Sequence, residues 1–428
     1  DVVVTNPPYM GGKGQNANLS DFLKDNYPDE KSDTFSAFIE RCGQMAKPTG
    51  YGGMFTPYVW MFIQSYEKLR TNLYTTKSIT TLIQFEYSAF EEATVPVCTF
   101  VYRNTKVGEK GGYFRLVDFR GGMEVQRQKY LEAIANPKCG YFYTASADNF
   151  SKIPGSPVAY WVSEAMVMAF EEGKTVASTY ETKLGMSTND NGRFLREWFE
   201  VERNNICLTH KNGDSSYFTE KWFPYSKGGS YRKWFGNVTN VINWADDGSE
   251  VKALASKLYG SFSRTCKNTQ YFFKPAVTWN LITSGEPSFR FLKEGCVLGD
   301  AGPVCFCGDG EYYALGLFNS VVTKAILPII NPTLNCSTGV VNCIPVKKGT
   351  PTQSDCINGL VKRNIELSIA DWDSFETSWD FKRHPLILTT KTISDAYEQW
   401  KAKANAMFDK LKANEEELNR IFIDIYGL

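Results

Sequence analysis

The residues with the clearest chemical potential are Asn6, Pro7, Pro8 and Tyr9, which directly follow the apolar run at residues 2–4. The exocyclic amine of a base is a weak nucleophile because its lone pair is delocalised into the ring. The Asn6 side-chain oxygen and the Pro7 carbonyl oxygen could each accept one hydrogen of such an amine. This arrangement favours a pyramidal nitrogen that can attack an electrophilic methyl group, and the attack needs no histidine base.

Tyr9 adds an aromatic face against which a base taken out of a duplex could stack. Pro7 and Pro8 lack backbone donors, so the preceding strand must end there and the turn is stiffened. In open α/β sheets, ligands bind just outside the carboxyl ends of strands. An ordinary proline turn with an exposed tyrosine is the alternative interpretation.

The elements around this turn alternate between strand and helix. The three valines at residues 2–4 suit a strand that is buried on both faces of a parallel sheet. A helix with an N-cap signal at residues 32–34 follows, and then a strand at 54–57, a helix at 65–70 and strands at 79–85 and 97–102. This pattern predicts one layered α/β sheet.

Residues 1–9 resemble the catalytic motif of amino-group DNA methyltransferases, and asparagine in its first place resembles the adenine-N6 branch. Glutamine methyltransferases that act on protein carry the tetrapeptide too. The resemblance implies the downstream half of a class I, S-adenosylmethionine-dependent fold. It places Phe38 and Asn6 beside the cofactor and Phe90 against the flipped base, although ordinary core packing remains an alternative for both phenylalanines.

The glycine-rich loop that holds the cofactor in this fold is expected upstream of Asp1. Residues 11–14 and 110–112 contain glycines, but neither stretch follows a strand and opens a helix, and Lys13 is better explained as a phosphate contact. The sequence is therefore interpreted as a carboxy-terminal fragment. On its own, it is expected to bind S-adenosylmethionine poorly and to lack activity.

The second half of the chain interleaves basic and aromatic side chains at residues 183–199 and 221–235, a combination that suits a phosphate backbone and unpaired bases. A loop that packs its own aromatics beneath solvated lysines is equally compatible with residues 221–235. The candidate DNA contacts are Lys13, Arg193, Arg196, Lys221, Lys227, Arg232 and Lys233.

The combined resemblance is to the PglX-type methyltransferases of BREX phage-defence systems, and it is carried by residues 6–35, 221–234, 268–274 with 278–279, 299–302, 317–320 with 327–335, and the tail at 415–428. Related sequences occur in fused restriction–modification enzymes. The resemblance implies a catalytic domain at 1–165, a mixed α/β DNA target-recognition domain at 166–385 and a helical segment at 386–428. That last segment is predicted to be an amphipathic helix with Asn414 as a candidate break. Packing back on the catalytic domain is the preferred interpretation, and docking of a partner is the alternative.

Composition limits the remaining classes of function. The formal net charge of zero argues against an unstructured basic nucleic-acid binder, although a local basic groove is still compatible with it. Scattered cysteines, 11 in all, and only two histidines favour reduced thiols in the cytoplasm over a zinc site, and no metal is expected. The sequence contains no apolar run long enough to span a bilayer.

These observations predict a site-specific adenine-N6 DNA methyltransferase that uses S-adenosylmethionine and acts on double-stranded DNA, with other phage-defence proteins as further candidate partners. Three alternatives stay open. One is N4-cytosine methylation, because the same turn could hold that amine. The others are a DNA-recognition module without methyl transfer, and methylation of RNA or of a protein glutamine.

Overall fold

The computed structural model describes residues 1–87, 95–210, 219–283, 285–331, 333–387 and 392–428. The chain divides into two compact units. The first unit contains residues 1–172 together with 329–332, and the second contains residues 173–328 and 333–428.

The first unit carries one mixed sheet with helices around it. Its strands are β1 (Val2–Thr5), β2 (Tyr51–Pro57), β3 (Ser78–Gln84), β4 (Val97–Arg103), β5 (Gly111–Arg115) and β6 (Phe142–Ala145). Its helices are α1 (Ala17–Asn26), α2 (Thr34–Met45), α3 (Glu67–Thr76), α4 (Gly122–Ala135), α5 (Ala147–Phe150) and α6 (Glu164–Glu172).

The described strands of this unit lie in the order β1-β2-β4-β3-β5-β6. β1 runs parallel to β2, with Val3 opposite Gly52, while β4 is antiparallel to both of its neighbours. Because β1 and β2 are parallel, their carboxyl ends meet at the same edge of the sheet. The predicted order of strands and helices in this region is confirmed.

The expectation that β1 is buried on both faces is wrong within the described chain. Val2 and Val4 are 62% and 74% exposed, and only Val3 packs against the core beneath the sheet. The physical reason is the alternation of side chains along a strand, because Val2 and Val4 point to the face opposite Val3, and that face is solvent-exposed among the described residues.

The second unit is built from short strands and longer helices. Its strands are β7 (Lys174–Thr175), β8 (Glu181–Lys183), β9 (Leu195–Glu197), β10 (Trp222–Ser226), β11 (Asn240–Asn243), β12 (Ala276–Thr278), β13 (Arg290–Leu292), β14 (Val297–Leu298), β15 (Val304–Phe306) and β16 (Pro345–Val346). Its helices are α7 (Val176–Thr179), α8 (Asn191–Phe194), α9 (Ala245–Tyr259), α10 (Glu311–Asn319), α11 (Val321–Ile330), α12 (Thr338–Asn342), α13 (Pro351–Trp372) and α14 (Ile393–Tyr426). The last two residues of α11 belong to the first unit.

Two four-stranded sheets organise this unit, in the orders β14-β10-β11-β9 and β13-β12-β15-β8. A core of aromatic and aliphatic side chains packs between their elements and includes Trp244, Phe272 and Val304. The alternation of strand and helix seen in the first unit is lost here.

The carboxy-terminal helix differs from its prediction in two respects. α14 is continuous through Asn414, which is buried and donates a hydrogen bond of 2.8 Å to the side chain of Asn364 on α13. A helix break is unnecessary because this amide has a partner on a neighbouring helix. α14 also belongs to the second unit, where Phe422 packs on Tyr313 with ring centroids 5.5 Å apart, and not to the first unit.

Among the described residues, no single helix combines the length and apolar character needed to cross a membrane. Only the pair Gly308–Asn319 and Val321–Ile330, which is bent by 73°, meets those two criteria jointly.

Arg70 on α3 ties several loops of the first unit together. Its side chain is fully buried and donates hydrogen bonds to the backbone carbonyls of Trp60, Ile63, Gly155 and Ser156, at distances that include 2.6 Å to Trp60 and 3.0 Å to Ser156. Desolvation lowers the pKa of the guanidinium. The carbonyls that surround it compensate for the loss of water.

Replacing Arg70 with methionine should therefore destabilise the first unit by about 3 kcal/mol or more, since several buried carbonyls would lose their donor. Urea unfolding of the purified chain, followed by circular dichroism, measures this change. Arg41→Met on the exposed side of α2 is the matched control and should change the stability little. Equal stability of the two variants would contradict the role assigned to Arg70.

Candidate active site

The turn that follows β1 leaves the sheet at its carboxyl edge. β1 ends at Thr5, Asn6 is exposed to solvent and Pro7 is buried. Since β2 runs parallel to β1, the end of β2 lies beside this turn. The structure thus places the Asn6 amide at the edge of the sheet where the sequence predicted it.

Tyr9 turns back toward both strands. Its hydroxyl lies 3.1 Å from the Asn6 side-chain oxygen and 3.2 Å from the backbone carbonyl oxygen of Phe55 on β2. One hydroxyl proton serves these two acceptors, so the phenol links the Asn6 amide to the neighbouring strand. The ring meets Phe35 edge-on with centroids 6.2 Å apart, and 38% of the residue remains exposed.

Partial burial raises the pKa of Tyr9 from its ordinary value of 10 to about 12, and the neighbouring Cys98 adds a smaller effect in the same direction. The hydroxyl is therefore protonated and able to donate throughout the physiological range. Because the folded-state pKa is the higher one, stability linked to Tyr9 is unaffected below pH 10 and falls as the pH rises from 10 toward 12.

The amino-terminal end of α2 holds the other side of the turn. One carboxylate oxygen of Asp33 accepts hydrogen bonds from the Met10 amide at 2.8 Å and from the Phe35 amide at 3.3 Å. The Thr34 hydroxyl donates to the Pro8 carbonyl oxygen at 2.6 Å, and its amide donates to the Met10 carbonyl oxygen at 3.3 Å. Asp33 is thus the helix cap and also an anchor of the proline turn.

Sequence reasoning found Asp33 and Thr34 only as a helix-start signal. Their second role depends on a long-range approach between residues 8–10 and 33–34, and no local pattern encodes that approach. Asp followed by Thr at a helix start was the only available hint.

The other residues predicted for this site lie as follows. Phe38 is on α2, one turn after Thr34, and is 39% exposed. Lys13 is exposed in the tight turn at residues 11–14, which the Gly14 amide closes by donating to the Gly11 carbonyl oxygen at 2.8 Å. Phe90 lies outside the described residues. Within the described ranges, no group of three or more His, Cys, Asp or Glu side chains is arranged to hold a metal ion.

Four of the basic residues predicted to contact DNA have partners inside the second unit. Arg193 pairs with Glu250 at 3.0 Å, and the Arg196 side chain donates to the Gly192 carbonyl oxygen at 2.7 Å. Arg232 pairs with Asp371 at 2.6 Å, and Lys233 pairs with Glu415 at 3.0 Å. The ion pairs of Arg193, Arg232 and Lys233 would compete with a DNA phosphate for these three side chains.

Arg232 and Lys233 also line a groove of about 610 Å³ against α13 and α14. Its α14 wall combines apolar side chains such as Trp400, Met407 and Phe408 with charged ones such as Lys403 and Lys412. The two basic residues are half-buried in this setting.

Two further predicted DNA contacts, Lys221 and Lys227, are exposed to solvent, unlike Arg232 and Lys233. The Lys221 ammonium lies 5.7 Å from the ring centre of Trp222, at one end of β10. Lys227 directly follows the other end of β10. A DNA contact by any of the seven predicted basic residues stays a prediction.

Comparison with known proteins gives a consistent result. Residues 1–90 match the Eco57I restriction-modification methylase family. The chain is 35% identical over 440 residues to an adenine-specific methyltransferase PglX of Lacticaseibacillus casei (strain Zhang), covering all of this chain and 36% of that protein. It is 33% identical over 436 residues to an adenine-specific methyltransferase BrxX of Escherichia coli O9:H4 (strain HS), covering all of this chain and 34% of that protein. The chain thus spans about a third of the length of these relatives.

Among solved structures, the type IIL restriction-modification enzyme MmeI, determined in complex with DNA, aligns with all of this chain and with 54% of its own chain. The TM-score is 0.56 at 13% sequence identity, so this likeness concerns the fold alone. It confirms the predicted fold class, in which an α/β sheet of the methyltransferase type is followed by further mixed α/β structure.

Asp33 gives a direct test of how the turn is anchored. Asp33→Ala should expose the Met10 amide and speed its hydrogen exchange, because that amide loses its 2.8 Å acceptor, and loss of the cap should cost about 1 kcal/mol of stability. Asp33→Asn retains a side-chain oxygen and should stay close to the parent chain. Hydrogen–deuterium exchange of peptides that cover residues 8–14 measures the difference. Unchanged exchange in Asp33→Ala would contradict the anchoring.

Proposed function

The chain belongs to the PglX-type family of adenine-specific methyltransferases, and from that membership we propose that the full-length protein transfers a methyl group to N6 of an adenine at a specific site in DNA. Phage defence or restriction–modification is the proposed setting, with the cytoplasm as the location and double-stranded DNA as the substrate. Other defence proteins are candidate partners.

The observation that carries this proposal is the position of the Asn6 amide, which is exposed at the carboxyl edge of the sheet and fixed by Tyr9. A side-chain amide oxygen has two lone pairs, so Asn6 can accept one hydrogen bond from Tyr9 and a second from the amine of a flipped adenine. The Pro7 carbonyl oxygen is the proposed acceptor for the other hydrogen of that amine. The Pro8 carbonyl is engaged by Thr34 and so has an anchoring role.

Tyr9 is proposed to have two roles in the site, one for its ring and one for its hydroxyl. Its ring offers a face for the target base, while its hydroxyl holds the Asn6 amide against β2 through Phe55. Phe90 is proposed as a second aromatic surface for the same base. Such preorganisation limits the reorientation needed when the amine becomes the nucleophile.

S-adenosylmethionine is the proposed cofactor, and when bound it supplies the electrophilic methyl group. Asn6 and Phe38 are the residues of this chain proposed to meet it. The exposed aromatic side chain of Phe38 on α2 fits this role, because α2 is the helix whose first turn anchors the catalytic turn.

The proposed division of labour assigns catalysis to residues 1–165, target recognition to residues 166–385 and a helical segment to residues 386–428. The seven basic residues predicted above are proposed DNA contacts, and the ion pairs of Arg193, Arg232 and Lys233 would have to rearrange for those three to bind phosphate. Methylation of N4 of cytosine is the alternative that the same turn geometry supports.

Asn6→Ala in the full-length protein should abolish methylation in cells that carry its native partners. Loss of one preorganised polar group at a reacting centre typically lowers the rate by roughly 100- to 1,000-fold. Genome-wide mapping of modified bases by single-molecule sequencing should find N6-methyladenine at one recurrent site in the parent strain and not in the variant. Identical methylation in both strains would remove Asn6 from the mechanism, and modified cytosine would favour the alternative.

The hydroxyl and the ring of Tyr9 can be separated by two substitutions. Tyr9→Phe keeps the ring and loses a hydrogen bond of roughly 0.5–1.5 kcal/mol, so the methylation rate should fall about two- to tenfold. Tyr9→Ala also loses base stacking of roughly 1–3 kcal/mol and should be weaker in substrate binding as well. Single-turnover kinetics at several DNA concentrations measure both the methylation rate and substrate binding. If Tyr9→Phe were as impaired as Tyr9→Ala, the separate roles assigned to the hydroxyl and the ring would be wrong.

A further inference from the structure

The segment 227–231 follows β10 and turns sharply back over the second unit. Gly228 and Gly229 adopt φ values of +87° and +158°. Lys227, Ser230 and Tyr231 are exposed, and Tyr231 retains 57% of its accessible surface. Lys227 has no ion-pair partner within the part of the chain that the structure describes. We call residues 227–231 the glycine loop.

Half-buried polar side chains hold the glycine loop in place. The Asn280 side chain accepts from the Gly229 amide at 3.1 Å and donates to the Gly229 carbonyl oxygen at 2.6 Å. The Asn280 oxygen also accepts from Arg290 at 2.7 Å. Asn237 closes the far side by donating to the Ser230 carbonyl oxygen at 2.6 Å. The loop backbone is thus fixed before any ligand arrives.

Arg290 is only 1% exposed. Burial lowers the pKa of its guanidinium to about 10, and repulsion from the like-charged Arg232 contributes to the shift. It nevertheless remains a cation at neutral pH. Its terminal nitrogens bond to Asn280, Ser288 and the Arg232 carbonyl oxygen, all of them uncharged groups, and its Nε has no hydrogen-bond partner. A buried cation without a paired carboxylate favours anions at the surface above it.

The backbone conformation of the glycine loop depends on Gly228 and on Trp234, which both have a positive φ. A Cβ on Gly228 would lie 3.1 Å from the Ala301 carbonyl oxygen and 3.2 Å from the Asn280 side-chain oxygen, in addition to its unfavourable φ. Trp234 is buried at a φ of +70° and exchanges backbone hydrogen bonds with Phe289 and Phe291 at 3.0 and 2.8 Å. These contacts keep both ends of the turn in place.

We propose that the glycine loop is a preformed contact site for the phosphate backbone of DNA, in which Lys227 binds a phosphate and Tyr231 packs against the adjoining nucleotide. Exposed glycine backbone allows close approach, and basic and aromatic side chains supply charge and a stacking surface. This inference rests on the proposed function and refines it, because it separates Lys227 from Arg232 and Lys233, which are already paired.

Binding of the full-length protein to a duplex oligonucleotide of mixed sequence, measured by fluorescence anisotropy over a range of salt concentrations, tests the site. Lys227→Ala should make the plot of the logarithm of the association constant against the logarithm of the salt concentration less steep by about 0.9. If parent and variant bind equally at 1 M salt, this change corresponds to roughly eightfold weaker binding by the variant near 0.1 M salt. Tyr231→Ala should weaken binding without changing the slope. Lys257→Ala, an equally exposed lysine on α9, is the matched control and should bind as the parent does.

A backbone variant tests the preformed shape with every charge retained. Gly228→Ala should weaken DNA binding at least as much as Lys227→Ala, whereas Gly260→Ala should not. Gly260 also has a positive φ, of +76°, but has no atom within 4 Å of the added Cβ. Melting temperatures of both variants identify any loss of folding, in which case Lys227→Ala and Tyr231→Ala decide the question.

The outcomes separate this inference from the proposed function. Parent-like binding by Lys227→Ala and Tyr231→Ala, in a protein that does bind duplex DNA, would overturn the loop assignment and leave the proposed function standing. Failure of the parent protein to bind duplex DNA would overturn both.

Discussion

Two consecutive prolines after β1 leave the turn without the backbone N–H groups that would pair it to a neighbouring strand. The missing contacts are replaced by α2, whose Asp33 accepts from the Met10 amide and whose Thr34 donates to the Pro8 carbonyl. A strand end and a helix start are thereby locked together. The exposed Asn6 amide has a defined position because hydrogen bonds from both elements hold the turn.

The phenol of Tyr9 extends this lock to the sheet. It reaches Asn6 and the backbone of Phe55 with one hydroxyl, and burial raises its pKa to about 12, so the donor persists at every physiological pH. The second unit uses the same principle with the buried Arg290 and the half-buried Asn280, which fix an exposed glycine loop. In both units, polar groups with defined hydrogen-bond partners position a surface that faces solvent.

Sequence reasoning succeeded where the signal was local. The proline stop after residue 5, the cap at Asp33 and the succession of strands and helices in the first unit are encoded by residue type and spacing. It failed where long-range packing decides, as with the exposed face of β1, the unbroken course of α14 and its place in the second unit. The pairing of Arg232 with Asp371 spans 139 residues, and no local pattern carries that information.

The proposed role of the Asn6 turn is to present the amine of adenine to a methyl donor. The most direct measurement incubates the full-length protein with duplex DNA and S-adenosylmethionine that carries a deuterated methyl group, and then analyses the digested nucleosides by mass spectrometry. If the Asn6 turn acts as proposed, the labelled methyl group is found on N6 of deoxyadenosine. Label on deoxycytidine instead, or its absence from DNA when the same preparation labels a protein or RNA substrate, would contradict it.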